Sequence, residues 1–189
     1  MRVSRRGLLC IGGAALASAG LSAPTISLAA PALIGLKKLN ARTLSFDCTN
    51  SGEQLNGIDY WVEGAYVPEA LDEIDVALRD YRTGEVYPIS THLLDLLYQL
   101  GRELHTDCQF ELTSGYRSPE TNAALHELDS GVATNSLHMK GHAADISVPG
   151  RSLAEVYEMA RALKLGGVGY YPDDDFVHVD IGRVRRWEG

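Results

Sequence analysis

The chain has 189 residues, of which 45% are hydrophobic, and its 17 basic and 25 acidic residues give a formal net charge of −8. That length suits one domain around one core. The acidic balance excludes the basic footprint with which proteins hold nucleic acid or an anionic membrane surface.

The first segment in chain order speaks to location. Met1-Arg-Val-Ser4-Arg5-Arg6 is a basic start, and the chain from Gly7 to about Leu21 is apolar and rich in Gly and Ala, with no carboxylate before Asp47. This is the pattern of an export signal. The Arg5-Arg6 pair after Ser4, followed by Leu8 and Leu9, resembles the twin-arginine signal that exports folded bacterial proteins. Small residues in Ser27-Leu-Ala29 place the cut near Ala29. A transmembrane anchor is the competing reading, but the apolar run falls short of the roughly 20 residues needed to span a bilayer. No stable membrane anchor is therefore expected after processing, and Leu8-Leu9 before Cys10 lacks the small residue of a lipidation site. The expected mature chain is periplasmic and a monomer by default. Three of the 17 basic residues leave with residues 1–29, so 14 face 25 acidic ones. Cys48 and Cys108 remain, without the close partner spacing of a zinc site. An oxidising periplasm permits them to pair, although sequence alone does not set their distance.

Residues 30–41 read as a flexible lead-in and 42–189 as the working domain. Leu44 and Phe46 alternate with polar neighbours over Arg42 to Cys48, which predicts a strand, and Asp59 to Glu63 predicts another, with Gly52, Asn56 and Gly57 marking the turn between them. Pro68 opens a helix in which Leu71, Ile74, Leu78 and Tyr81 recur at helical spacing until Thr83-Gly84. Ser90 or Thr91 caps a second helix striped by Leu93, Leu97, Leu100 and Leu104. A strand over Cys108 to Thr113 enters Ser114-Gly-Tyr-Arg117-Ser, and a helical pattern runs from Pro119 to about Leu128. Asp129 to Lys140 reads as a loop, Ala143 to Val148 as a strand and Ser152 to Lys164 as a helix. Val168 to Tyr171 and Phe176 to Ile181 form an antiparallel hairpin about Pro172-Asp-Asp-Asp175. Alternation in its second strand sets His178 and Asp180 against Val177, Val179 and Ile181.

His138, Asp145 and His178 carry side chains that ligate zinc, and each lies where its neighbours aim it inward. Imidazole nitrogen and carboxylate oxygen suit a borderline cation, and three protein ligands leave a fourth position for water, the arrangement of a catalytic site. A structural zinc site more often has four protein ligands and a thiolate. His142 follows His138 by four residues, the spacing of two ligands on a helix, but Gly141 argues for a loop there and makes His142 a cleft residue. Asp180 shares a strand face with His178 and either orients it from behind or pairs with an arginine. Gly182-Arg-Val-Arg-Arg-Trp187 reads as a short basic tail that touches glycan or packs Trp187 on the domain.

Three ordered blocks carry a resemblance: Ser114-Gly-Tyr-Arg117-Ser, Ser136-x-His138-x-x-Gly141-x-Ala143-x-Asp145, and His178-Val-Asp180 followed by Gly182 and Trp187. Together they resemble the zinc peptidases that cut D-amino-acid-containing peptides of the bacterial wall, most nearly the murein endopeptidase K group. The resemblance implies an α+β fold in which helices flank a small antiparallel sheet, shared with D-Ala-D-Ala carboxypeptidases and the metal-binding domain of hedgehog proteins. It implies one zinc ion held by His138, Asp145 and His178, and peptidoglycan peptides as substrate. Arg117 matches an arginine that stabilises the oxyanion and contacts substrate, and Ser136 a substrate-contacting serine. Asp175 stands three residues before His178, where dipeptidase relatives carry the general base; His142, Asp180 or water acting without a side-chain partner are the alternatives. The implied activity is endopeptidase cleavage of peptide cross-links. A D,D-carboxypeptidase, a dipeptidase and a non-catalytic zinc-containing wall-binding module are the runners-up.

Overall fold

A computed structural model describes residues 40–129 and 131–189. The export segment expected over 1–29 lies outside the described residues, as does the lead-in except at its end. Asn40 and Ala41 already belong to the folded part: Asn40 N donates to Glu63 Oε1 (2.8 Å) and Ala41 begins the first strand. Among the described residues no helix is long and apolar enough to cross a membrane.

The elements run β1 (Ala41–Cys48), β2 (Glu53–Val62), β3 (Ala65–Tyr66), α1 (Pro68–Ala77), α2 (Thr91–Glu103), β4 (Gln109–Ser114), α3 (Pro119–Leu128), a 3₁₀ turn (Leu137–Lys140), β5 (Ala143–Ser147), α4 (Leu153–Leu163), β6 (Gly167–Tyr171), β7 (Phe176–Asp180) and β8 (Arg185–Glu188). All eight strands join one sheet in the order β3-β2-β1-β4-β5-β7-β6-β8. The β1–β4 and β6–β8 pairs are parallel and the rest antiparallel. The α+β class holds, but the sheet is large and mixed where a small antiparallel one was expected.

Two local features enlarge it. Asn56 and Gly57, expected in a turn, form a bulge inside a ten-residue β2: pairing passes from Leu44↔Ile58 to Phe46↔Leu55, leaving two residues opposite Ser45. Gly57 adopts φ +63° there and its N–H donates to Ser45 Oγ (2.9 Å). At the other edge, the expected basic tail pairs with β6 as β8.

The core lies on one face of this sheet. Leu44, Phe46, Phe110, Leu112, Ala144, Ile146, Val177 and Val179 meet Leu93, Leu97 and Leu100 of α2 and Val156 and Ala160 of α4. The predicted leucine stripe is thus core, and Ser152 with Glu155 closes a capping box at the start of α4. Cys48 and Cys108 are buried free thiols. Cys48 pairs with Leu112, four residues beyond Cys108 on the same strand path, a separation of about 13 Å at 3.3 Å per residue, well beyond the roughly 7 Å a disulfide tolerates. Burial pushes the Cys48 thiol up to about 11.

α1 stops at Ala77, six residues before Thr83, because the chain beyond it folds around Asp80. This carboxylate is 1% exposed; Oδ1 accepts from Arg82 N (2.9 Å) and Oδ2 from Ser118 N (2.8 Å), tying the α1–α2 connection to the start of α3. Burial alone would raise its pKa, but hydrogen bonds from Thr121, Ser118 and Arg82 together hold it at about 2. A folded-state pKa below the ordinary carboxylate value stabilises the fold above pH 4, and that contribution is lost as pH falls through 2. The shift corresponds to about 2 kcal/mol. Asp80→Asn should therefore be less stable than the parent at pH 5, with the gap closing by about 2 kcal/mol at pH 2 in urea denaturation series.

Candidate metal centre

One cross-strand row builds most of the site. Ser114 of β4 pairs with Asp145 of β5, Asp145 with His178 of β7, His178 with Gly169 of β6, and Gly169 with Trp187 of β8. Alternation puts Asp145, His178, Gly169 and Trp187 on the face opposite the core, and the register shift between Leu112 and Ser114 brings Ser114 to that face as well. His138 joins it from the 3₁₀ turn, where the sequence suggested a loop. Ser136 Oγ accepts from His138 N (3.3 Å) at the start of the turn and Gly141 ends it in the left-handed conformation.

His138 Nε2, His178 Nδ1 and Asp145 Oδ1 form a triangle with edges of 3.2 Å between the two nitrogens, 3.2 Å from His138 to Asp145 and 2.8 Å from His178 to Asp145. Ligands held 2.0–2.1 Å from a tetrahedral zinc stand about 3.3 Å apart, so the triangle is already close to the size such an ion requires. The remaining imidazole nitrogens fix the tautomers. His138 Nδ1 lies 2.6 Å from Gly115 O, which only accepts, and His178 Nε2 lies 3.1 Å from Asp180 Oδ2. Each ring therefore donates backward and turns a lone pair toward Asp145 Oδ1. Three acceptors converging on one point call for positive charge at its centre, and a ring anchored through its second nitrogen is the usual support of a metal-ligating histidine.

The titration behaviour follows from this geometry. Burial holds His138 below the ordinary histidine value. Burial opposes ionisation of Asp145 too, but His138 and Arg117 outweigh it and keep the carboxyl well below the usual range. For His178 burial again acts downward, yet Asp145 and Asp180 raise its pKa overall, because a proton taken up on Nδ1 can bond Asp145 where the neutral ring presents a lone pair.

The Ser114–Ser118 segment supports the triangle residue by residue. Ser114 Oγ accepts from Arg117 Nε (2.8 Å), and Arg117 Nη2 pairs with Asp145 Oδ2, leaving Oδ1 to the triangle. Gly115 supplies the carbonyl that orients His138 and must lack a side chain, since a Cβ would stand 2.5 Å from Leu78 O. Tyr116 N donates to Leu78 O (2.8 Å), its hydroxyl donates to Glu85 (2.8 Å), and Ser118 Oγ caps α3. Asp180 is buried and takes five hydrogen bonds: Gly167 N, Gly182 N and Arg185 Nη1 on Oδ1, and His178 Nε2 and Arg185 Nη2 on Oδ2. Asp180 thus contacts both His178 and an arginine, where the sequence offered the two as alternatives.

The other expected site residues make no hydrogen bond to the side chains of His138, Asp145 or His178. Ser136 is 8% exposed and its oxygen caps the 3₁₀ turn. Ile181 N donates to His142 O (3.1 Å), so the β5–β7 pairing continues one step and alternation places His142 away from Asp145. Asp175 is exposed in the β6–β7 turn at φ +58°, just before β7 begins. Sequence reasoning missed Ser114 as the Arg117 anchor, Gly115 as the His138 acceptor and Arg185 as the Asp180 partner. These contacts depend on tertiary approach and leave no periodic signal.

An α+β domain with two histidines and a carboxylate converging on one sheet face, and no fourth protein ligand among the described residues, has the donor set of metal-dependent hydrolases. Comparison with known proteins is more specific: the chain belongs to the M15 peptidase family described as peptidoglycan L,D-endopeptidase MepK, whose model matches residues 37–187. It is 38% identical over 184 residues to the peptidoglycan L,D-endopeptidase MepK of Escherichia coli (strain K12), covering 97% of each chain, and likewise to that of Shigella flexneri. It is 39% identical over 149 residues to the probable peptidoglycan L,D-endopeptidase MepK of Haemophilus influenzae, covering 78% of this chain and 80% of that one. No solved structure matches.

Removing the anchor behind a ligand should weaken metal retention without unfolding the sheet. Asp180→Asn should lower zinc affinity about 10- to 100-fold in chelator competition, with far-UV circular dichroism unchanged; unaltered affinity would exclude that role.

Proposed function

We propose that this protein is an exported, zinc-dependent endopeptidase that hydrolyses the L,D peptide bond in peptidoglycan cross-links. The observation that carries the reading is the convergence of three lone pairs, from His138, Asp145 and His178, in a triangle of zinc-ligand dimensions. Near full-length likeness to L,D-endopeptidases supports the substrate class, and the Arg5-Arg6 start supports twin-arginine export.

A zinc ion held by these residues supplies a Lewis acid for the scissile carbonyl and brings the pKa of water toward about 7. The chain's own residues do the rest. Asp145, His138 and His178 are held rigid from behind by Arg117, Gly115 O and Asp180, so the site costs little reorganisation when substrate arrives. Arg117 commits Nη2 and Nε to Asp145 and Ser114, while Nη1 has no partner among the described residues. That N–H serves the negative charge developing on the carbonyl oxygen. Hydrolysis adds water across the C–N bond, giving a carboxylate on one peptide and an amine on the other.

The general base is not assigned to Asp180, whose oxygens are filled by five donors. Asp175 lies in the exposed turn before β7 and alternation turns His142 away from Asp145, so neither is assigned that role.

Purified cross-linked muropeptide dimers, incubated with the mature protein and resolved by mass spectrometry, should become monomers in a chelator-sensitive reaction. Release of free D-Ala with dimers intact would instead indicate a carboxypeptidase, and zinc binding without any product a wall-binding module. In the same assay Asp175→Asn should keep activity within about threefold; a loss of 100-fold or more, the scale of general-base catalysis, would restore Asp175 to that role.

A further inference from the structure

We propose that Trp187, Tyr171 and Phe176 form a subsite that holds the substrate peptide on one side of the scissile bond, with Trp187 as its positioning residue. This rests on the peptidase reading above. The alternation that turns His178 away from the core turns Gly169 and Tyr171 of β6, Phe176 of β7, and Arg185 and Trp187 of β8 to the same face. The row through His178 ends on Trp187, and two residues along, the next row pairs Tyr171 with Phe176.

The three rings form one continuous surface beside the metal ligands. Gly169 lies between Trp187 and His178, and a Cβ there would stand 2.6 Å from the indole. Its absence lets the indole lie across β6 with its centroid 5.2 Å from that of His178. Trp187 Nε1 donates to the Tyr171 hydroxyl (2.7 Å), and the Arg185 guanidinium, itself held by Asp180, lies 4.8 Å from the Trp187 ring centroid. Tyr171 stacks on Phe176 with centroids 4.6 Å apart and planes 22° from parallel.

All three rings are half-buried. They are not needed to fill the core, because Val168 and Val177 already serve it from the opposite face of the same strands. A rigid aromatic shelf beside a metal site suits the planar amides and aliphatic stems of an extended peptide. The Tyr171 hydroxyl accepts from the indole and keeps its own proton for a peptide carbonyl. The occupant is therefore one arm of the cross-linked wall peptide.

Trp187→Ala should raise KM for cross-linked dimers about tenfold or more, while kcat stays within about threefold and zinc content is unchanged. Trp187→Phe should recover part of the affinity, and Tyr171→Phe, which removes the acceptor for the indole, should raise KM by a smaller factor. An unchanged KM in Trp187→Ala and Trp187→Phe, or a loss confined to kcat or zinc content, would overturn the subsite. The chain has two tryptophans, Trp61 and Trp187, so Trp61→Phe leaves Trp187 as the sole indole reporter. Titrating that variant with purified muropeptide dimer should give a saturable change in emission. If the parent protein cleaves no dimer, the endopeptidase reading fails and this titration alone decides the subsite: a saturable change upholds it and a flat signal overturns it.

Discussion

Asp145 is the residue on which the rest of the structure depends. A carboxylate buried to 2% exposure is costly unless its charge is met from both sides. Here the two oxygens divide the work: Oδ2 faces Arg117, and Oδ1 faces the lone pairs of His138 and His178. The division leaves Oδ1 free to meet an ion and spends the fixed cation on the other oxygen. Its strand, β5, lies between β4 and β7 in the sheet, so one carboxylate reaches both the arginine that follows β4 and the histidine on β7.

Outside this group stands a ring of anchors that come from distant parts of the chain. Gly115 O orients His138, while Asp180 orients His178 and is held in turn by Arg185. Asp80 fixes the backbone just after Arg117 through Ser118 N. Each link removes a freedom that His138, Asp145 or His178 would otherwise lose on holding an ion, so the triangle is formed in advance. The face opposite the core is free to carry this chemistry because α2 and α4 pack against the other side of the same sheet.

Much of the fold was legible in the sequence because local patterns carried it. The leucine stripe of α2, the prolines at the starts of α1 and α3, and the alternation about His178 all matched elements in the structure. The triad of His138, Asp145 and His178 was legible because residue type and ordered spacing announce it, and the structure brings the three side chains together. What escaped was long-range. Asn56-Gly57 has turn composition but becomes a bulge because the strand pairing with β1 continues on both sides of it. The Arg-rich terminus lacks a hydrophobic alternation, yet β6 offers a free edge and glycines over which Trp187 can lie. Asp175 is singled out in the sequence by its distance from His178, and the structure places it, exposed, in the tight turn before β7.

The central claim is that His138, Asp145 and His178 hold one zinc ion with a position left open. Zinc-edge X-ray absorption on the zinc-loaded mature protein tests it directly. The account predicts two imidazole nitrogens and one carboxylate oxygen at about 2.0–2.1 Å, one further light atom and no sulfur, with the imidazole contribution reduced in His178→Ala. A sulfur shell at about 2.3 Å, or a spectrum unchanged by that substitution, would contradict it.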